Sequence, residues 1–208
     1  MISFPKAKIN IGLRVIEKRP DGFHNIETIF YPIALSDALE FVVPGNKAKE
    51  DELVITGIDI RTKPEKNLVI KALKRLREKY KVPPLKIHLH KAIPAGAGLG
   101  GGSSDASCMI RSLNKCFRFG MTEEEMNGIA LELGSDCPFF LNPVPSAGRG
   151  RGEILTPVDP VLDGYYLIVL NPGIIINTKE AYHNCIPAKR TKRLEDLVSK
   201  PVESWKKT

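Results

Sequence analysis

The chain has 208 residues, 42% hydrophobic and 26% charged, an ordinary globular profile that excludes a disordered or collagen-like chain. No apolar run approaches the roughly 20 residues of a membrane helix, and the opening MISFPKAKINIGL reads as a strand, not a secretory leader, so a cytoplasmic location is expected. The formal charge is +7, but Lys and Arg are dispersed and the densest run, Lys189–Arg193, lacks interleaved aromatics and reads first as a solvated surface run, a pull on polyanionic small molecules being the alternative; neither nucleic acid nor a membrane is expected as a partner.

In chain order, alternation of Ile9, Ile11, Leu13 and Val15 predicts a half-buried strand over Lys8–Ile16. Asp21-Gly22 supplies a turn, and β-rich apolar runs follow at Ile26–Leu35, Leu39–Val43 and Leu53–Thr56. The spacing of Leu68, Ile70, Ala72, Leu73 and Leu76 predicts a helix over Asn67–Tyr80, capped by Asn67 and stopped by Pro83-Pro84. Leu85–Lys91 alternates as a strand, with His88 and His90 on one face; without a third ligand nearby, these read as exposed strand histidines.

A glycine-rich segment, Pro94-Ala95-Gly96-Ala97-Gly98-Leu99-Gly100-Gly101-Gly102, comes next, and a helix from Ser103 to Phe117 follows it directly. Thr122 and Glu125 form a capping box for a helix to about Leu133, which Gly134-Ser-Asp-Cys-Pro138 breaks. Two prolines mark a domain edge over Thr156–Asp163. Tyr165–Leu170 is expected as an apolar strand and Thr178–Asn184 as a short helix. The four cysteines show no CxxC spacing, so neither a zinc site nor a disulfide framework is expected. Early, mostly hairpin-linked strands followed by helices give an α+β architecture in two layers.

The glycine segment carries the chemistry. Five glycines in nine positions cost backbone entropy that only an unusual chain path justifies. A glycine loop opening a helix aims several N–H groups and the helix dipole at one point, which suits a phosphate, with the Ser103 or Ser104 hydroxyl in reach of phosphate or Mg²⁺. A Walker A loop is excluded, since no lysine lies between positions 94 and 114. The G-x-G-x-x-G match at Gly96–Gly101 lacks the acidic residue that should end a second parallel strand about twenty positions on.

The pattern P-x-G-x-G-L-G-G-G-S-S-x-A resembles the second motif of the GHMP kinases, the galactose, homoserine, mevalonate and phosphomevalonate kinases. Pro5-Lys-Ala-Lys8-Ile-Asn10, Arg19-Pro-Asp-Gly-Phe-His24, Leu133-Gly-Ser-Asp136-Cys-Pro and Gly150-Arg-Gly-Glu-Ile-Leu155 resemble, in order, the branch of that superfamily acting on a cytidine diphosphate-linked methylerythritol. This resemblance implies a two-domain α+β kinase using ATP and Mg²⁺ to phosphorylate the 2-hydroxyl of its acceptor in non-mevalonate isoprenoid synthesis. Residues 1–155 would form the N-terminal domain and residues 156–208 the start of a C-terminal one.

On the matched motifs, Asp136 is the catalytic base and Lys8 the lysine that pairs with it. Asn10, on the strand face of Lys8, helps to position the acceptor. Phe23, where the family usually has Tyr, and Tyr182 would sandwich the cytosine while His24 hydrogen-bonds it. Asn67 and Lys91 match positions near the adenine. Read alone, Phe23 and Tyr182 would be core aromatics and Lys8 a surface residue. Glu153 has the chemistry of a metal ligand, but the motif does not require it. Relatives continue past Thr208 with an acidic segment and a third glycine motif, so weak binding and poor catalysis are expected of this chain. Alternatives are another GHMP small-molecule kinase, or a catalytically impaired nucleotide-binding fragment.

Overall fold

Two alternating patterns at the start of the chain become two sheets. The computed structural model describes residues 1–45, 49–60, 63–173, 181, 185–188 and 192–207. Its strands are β1 (Ile2–Ser3), β2 (Lys6–Lys18), β3 (His24–Ser36), β4 (Ala38–Val42), β5 (Glu52–Gly57), β6 (Lys86–Lys91), β7 (Ser146–Arg149) and β8 (Ile154–Pro157). Its α-helices are α1 (Leu68–Arg77), α2 (Gly101–Phe117), α3 (Glu123–Leu133), α4 (Cys137–Leu141) and α5 (Leu194–Val198). The chain divides into two compact units, one of residues 1–7, 33–95 and 99–142, the other of residues 8–32, 96–98 and 143–208.

The first unit has a sheet of order β1-β4-β6-β5. Strand β4 pairs antiparallel with β6, Leu39 opposite Leu89, while β5 pairs parallel with β6, Leu53 opposite Ile87. The parallel pair needs a crossover, which α1 supplies. Asn67 caps α1 as expected, its side-chain oxygen accepting from the Val69 N–H at 2.9 Å. The helix ends at Arg77, before the expected prolines: the N–H groups of Lys79 and Tyr80 fold back onto the Leu76 carbonyl and close the last turn.

In β6 the buried residues are Ile87, Leu89 and Lys91, with His88 and His90 outside, each within 2.9 Å of the Thr56 hydroxyl. The sheet's apolar face meets α1 and α2 in a core containing Leu39, Phe41, Leu73, Leu76, Met109 and Leu113. Burying each such side chain contributes about 1.5–3 kcal/mol. The capping box of α3 is formed as read, Thr122 and Glu125 each accepting the other's backbone N–H.

The second unit has a sheet of order β2-β3-β7-β8. Strand β7 pairs with β3 at Thr28–Gly148 and Phe30–Ser146. Its residues Ser-Ala-Gly-Arg carry no strand signal, because the Phe30 ring fills the space a side chain at 148 would take: a Cβ there would lie 2.6 Å from Phe30 Cε2. Ile29, Ala147, Leu194 and Val198 make a small core with Trp205 against it.

The expected strand at Tyr165–Leu170 does not form. These residues run without regular structure, with Tyr166, Ile168 and Leu170 each more than four-fifths exposed. Apolar β-formers make a strand only beside a neighbour that takes their N–H and C=O groups, and no described strand pairs with them. The helix expected over Thr178–Asn184 falls mostly outside the described residues. Among the described residues no helix is long and apolar enough to cross a membrane.

Candidate active site

The glycine loop runs from the end of β6 to the start of α2. Gly96, Gly98 and Gly100 have φ of +67°, +74° and +71°, left-handed values that L side chains rarely adopt. At Gly98 nothing lies within 4 Å of where a Cβ would stand, so conformation and not space demands glycine there. Gly101 is held by space: a Cβ would lie 2.9 Å from Ile93 Cγ2 and 3.3 Å from Lys91 Nζ. Gly100 caps α2 with no side-chain hydrogen bond, so the helix's first N–H groups have no capping side chain. An anion is the complement such a terminus invites. Of the two serines, Ser104 is 3% exposed and turns inward, while Ser103 is half-buried.

Asp136 stands in the turn between α3 and α4, at the N-cap of α4. Two contacts seat this turn on α2. Ser107 Oγ donates to the Cys137 carbonyl at 2.7 Å, and the Cβ position of Gly134 lies 3.7 Å from Ser103 Oγ. The turn bearing Asp136 thus packs against the helix that the glycine loop opens. Burial pushes the neighbouring Cys137 thiol up to about 11, with the charge of Asp136 adding and hydrogen bonds from Ser103 and Ser107 opposing; the thiol stays protonated and inert at neutral pH.

Within the second unit, Lys8 is 4% exposed and donates to Asn10 Oδ1 at 2.6 Å. Its ammonium also lies 5.1 Å from the centre of the Phe30 ring. Asn10 donates to Thr28 Oγ1 at 2.8 Å, and that hydroxyl donates to the Gly12 carbonyl at 2.6 Å. The shared face predicted for positions 8 and 10 is a direct contact.

Phe23 leaves a turn closed by Arg19 N–H to Phe23 O at 2.8 Å. Its own N–H meets Asp21 Oδ1 at 3.1 Å, and a hydrogen bond from Arg19 holds the Asp21 carboxyl below its ordinary range. His24 opens β3, half-buried. Glu153 accepts from the Arg151 N–H at 2.5 Å, a backbone role within its own turn. Tyr182 lies outside the described residues.

Two expectations change character. Asn67 is 6% exposed and spends its oxygen on the helix cap. Lys91, expected near the adenine, is 3% exposed, and its ammonium is committed to Asp37 and to Asp105 Oδ2, the latter at 2.6 Å. A lysine ending an alternating strand falls on the buried face by parity alone. Sequence reading passed over Asp37, which sits in the one-residue gap between β3 and β4, and Ser107, one of several polar residues on the buried face of α2.

A glycine loop opening a helix, an α+β fold and an aspartate-bearing turn packed on α2 are together the framework of a small-molecule kinase. Residues 67–142 match the family model described as GHMP kinases N terminal domain. The chain is 48% identical over 206 residues to the 4-diphosphocytidyl-2-C-methyl-D-erythritol kinase of Parabacteroides distasonis and 43% identical to that of Bacteroides fragilis, covering 99% of itself and 74–75% of them. A crystal structure of 4-(cytidine 5'-diphospho)-2C-methyl-D-erythritol kinase superposes with a TM-score of 0.63 at 34% identity, over 76% of this chain and 55% of that one. The chain belongs to the 4-diphosphocytidyl-2-C-methyl-D-erythritol kinase family, within the ATP-dependent GHMP kinases.

Proposed function

We propose that this protein transfers the γ-phosphoryl group of ATP to the 2-hydroxyl of 4-diphosphocytidyl-2-C-methyl-D-erythritol, giving the 2-phosphate and ADP, as a cytoplasmic enzyme of the non-mevalonate isoprenoid route. The observation that carries this reading is the seat of Asp136, on a turn that packs against the first turns of α2 beside Ser103. Phosphoryl transfer asks for positioning and charge stabilisation more than covalent chemistry. Residues 94–102 with Ser103 receive the phosphates, and Asp136 takes the proton of the attacking hydroxyl.

Lys8, tied to Asn10, serves on this reading as the partner lysine of the base. Asn10, Phe23, His24 and Tyr182 belong on this reading to the acceptor, and Asn67 and Lys91 to the nucleotide side. Mg²⁺ would neutralise charge on the transferring phosphates. It takes hard oxygen ligands, mostly from phosphate and water, and the Ser103 hydroxyl and Asp136 carboxylate are donors of that kind. The boundary between residues 155 and 156 marks, on this proposal, the passage from the domain of loop and base to a second kinase domain.

Replacing Asp136 by Asn tests the reading. Turnover with this acceptor should fall at least about a thousandfold while ATP binding is kept, on the scale of losing a general base. Unchanged turnover would refute the assignment. Competition by CDP for acceptor binding separates this substrate from the sugar alcohols and phosphomevalonate that other GHMP kinases take.

A further inference from the structure

Three ionisable side chains lie in the interior of the first unit. Asp37 is 1% exposed, Asp105 2% and Lys91 3%. Lys91 Nζ bridges Asp37 Oδ2 and Asp105 Oδ2. The other oxygen of Asp37 accepts the backbone N–H groups of Ala92 at 2.6 Å and Ile93 at 2.8 Å. The other oxygen of Asp105 has no hydrogen-bond partner.

The position of this cluster gives it meaning. Ala92 and Ile93 are the last residues before Pro94, where the loop begins, and Asp105 lies on the early turns of α2, just past the loop's end. One hydrogen-bonded chain therefore runs from the residues feeding the loop, through Asp37 and Lys91, to the helix that leaves it. Stability does not call for such a chain. Apolar residues of similar volume often stabilise as well as a buried ion cluster or better, whereas a directional network fixes geometry. The glycines of the loop have no side chains to hold their own path.

We propose that Asp37, Lys91 and Asp105 staple the two ends of the glycine loop and hold it in the shape that receives a nucleotide triphosphate, which makes Lys91 a positioning residue acting from beneath the loop. The inference rests on the nucleotide reading of the loop given above.

Calorimetric titration of the purified protein with a non-hydrolysable ATP analogue and Mg²⁺, alongside melting curves, tests it. In Asp37→Asn/Lys91→Met/Asp105→Leu no buried charge is left unpaired, and the amide oxygen at position 37 still accepts the Ala92 and Ile93 N–H groups. This variant should melt close to wild type yet bind the analogue about tenfold more weakly or worse, as a small misplacement of a binding group costs. Asp105→Asn keeps an oxygen for Lys91 and should bind within about twofold of wild type.

Wild-type affinity in a folded triple variant overturns the staple, as does a loss in Asp105→Asn equal to that of the triple. Failure of the wild-type protein to bind the analogue overturns instead the nucleotide reading on which the staple depends. Should the triple variant not fold, Asp105→Leu leaves the Lys91–Asp37 pair in place. Amide exchange over residues 95–100 must then quicken at unchanged melting temperature, and unaltered exchange counts against the staple.

Discussion

Phe23 is 45% exposed, and the guanidinium carbon of Arg151 lies 3.7 Å from the centre of its ring. A stacked cation of that kind holds the ring's orientation and still leaves its second face open. If Phe23 receives the cytosine, its loss removes a stacking platform worth about 1–3 kcal/mol. Phe23→Ala should therefore raise the KM for the acceptor roughly tenfold or more while leaving the KM for ATP unchanged. Steady-state kinetics with each substrate varied in turn decides it, and an equal rise in both constants would count against a base-stacking role. Lys91 shows the opposite relation between type and place. Its match to a motif position marks it for the nucleotide side, strand parity sends it inward, and two carboxylates make that burial tolerable.

At the scale of elements, α2 ends at Arg118, whose φ of +53° is the only positive value among described non-glycine residues. Helices commonly end this way on glycine, and an L side chain in that conformation costs about 1 kcal/mol. Arg118→Gly should stabilise the protein by somewhat less than about 1 kcal/mol, because the unfolded chain also gains freedom. Denaturant midpoints at a constant slope measure it.

The same helix shows what sequence makes legible. Its place directly after the glycine run was readable, as were β2, β3 and β6, the apolar stripe of α1 and the capping box of α3, because each follows from a period or a local signal. Strand β7 and the staple were not, since each depends on a partner distant in sequence: Gly148 answers to Phe30, and Asp37 to Lys91 and Asp105. Tyr165–Leu170 is the converse case, a local pattern suited to a strand without the neighbour that would make it one.

For the molecule as a whole, Asp105 ties stability to pH. Burial, with the like charge of Asp37 adding and Lys91 opposing, pushes its carboxyl up to about 7. The folded protein thus retains a proton that the unfolded chain gives up near pH ~4, its ordinary value. The stability from that proton is fully present below about pH 4 and is lost as pH rises toward about 7. The melting temperature of wild type relative to Asp105→Asn should accordingly decline across that window and level off above it. Calorimetric scans at several pH values measure this, and a pH-independent difference would contradict it.

The chain moves repeatedly between its two units, and the insert of residues 8–32 leaves and re-enters the first of them in one excursion. That excursion carries Lys8, Asn10, Phe23 and His24, while the loop's serines and Asp136 stay in the first unit. In recombination between related kinase genes, a single breakpoint inside residues 8–142 leaves both units hybrid. Two breakpoints around residues 8–32 instead move most of the proposed acceptor-recognition residues as one cassette, while the sequence of the glycine loop stays with its own parent.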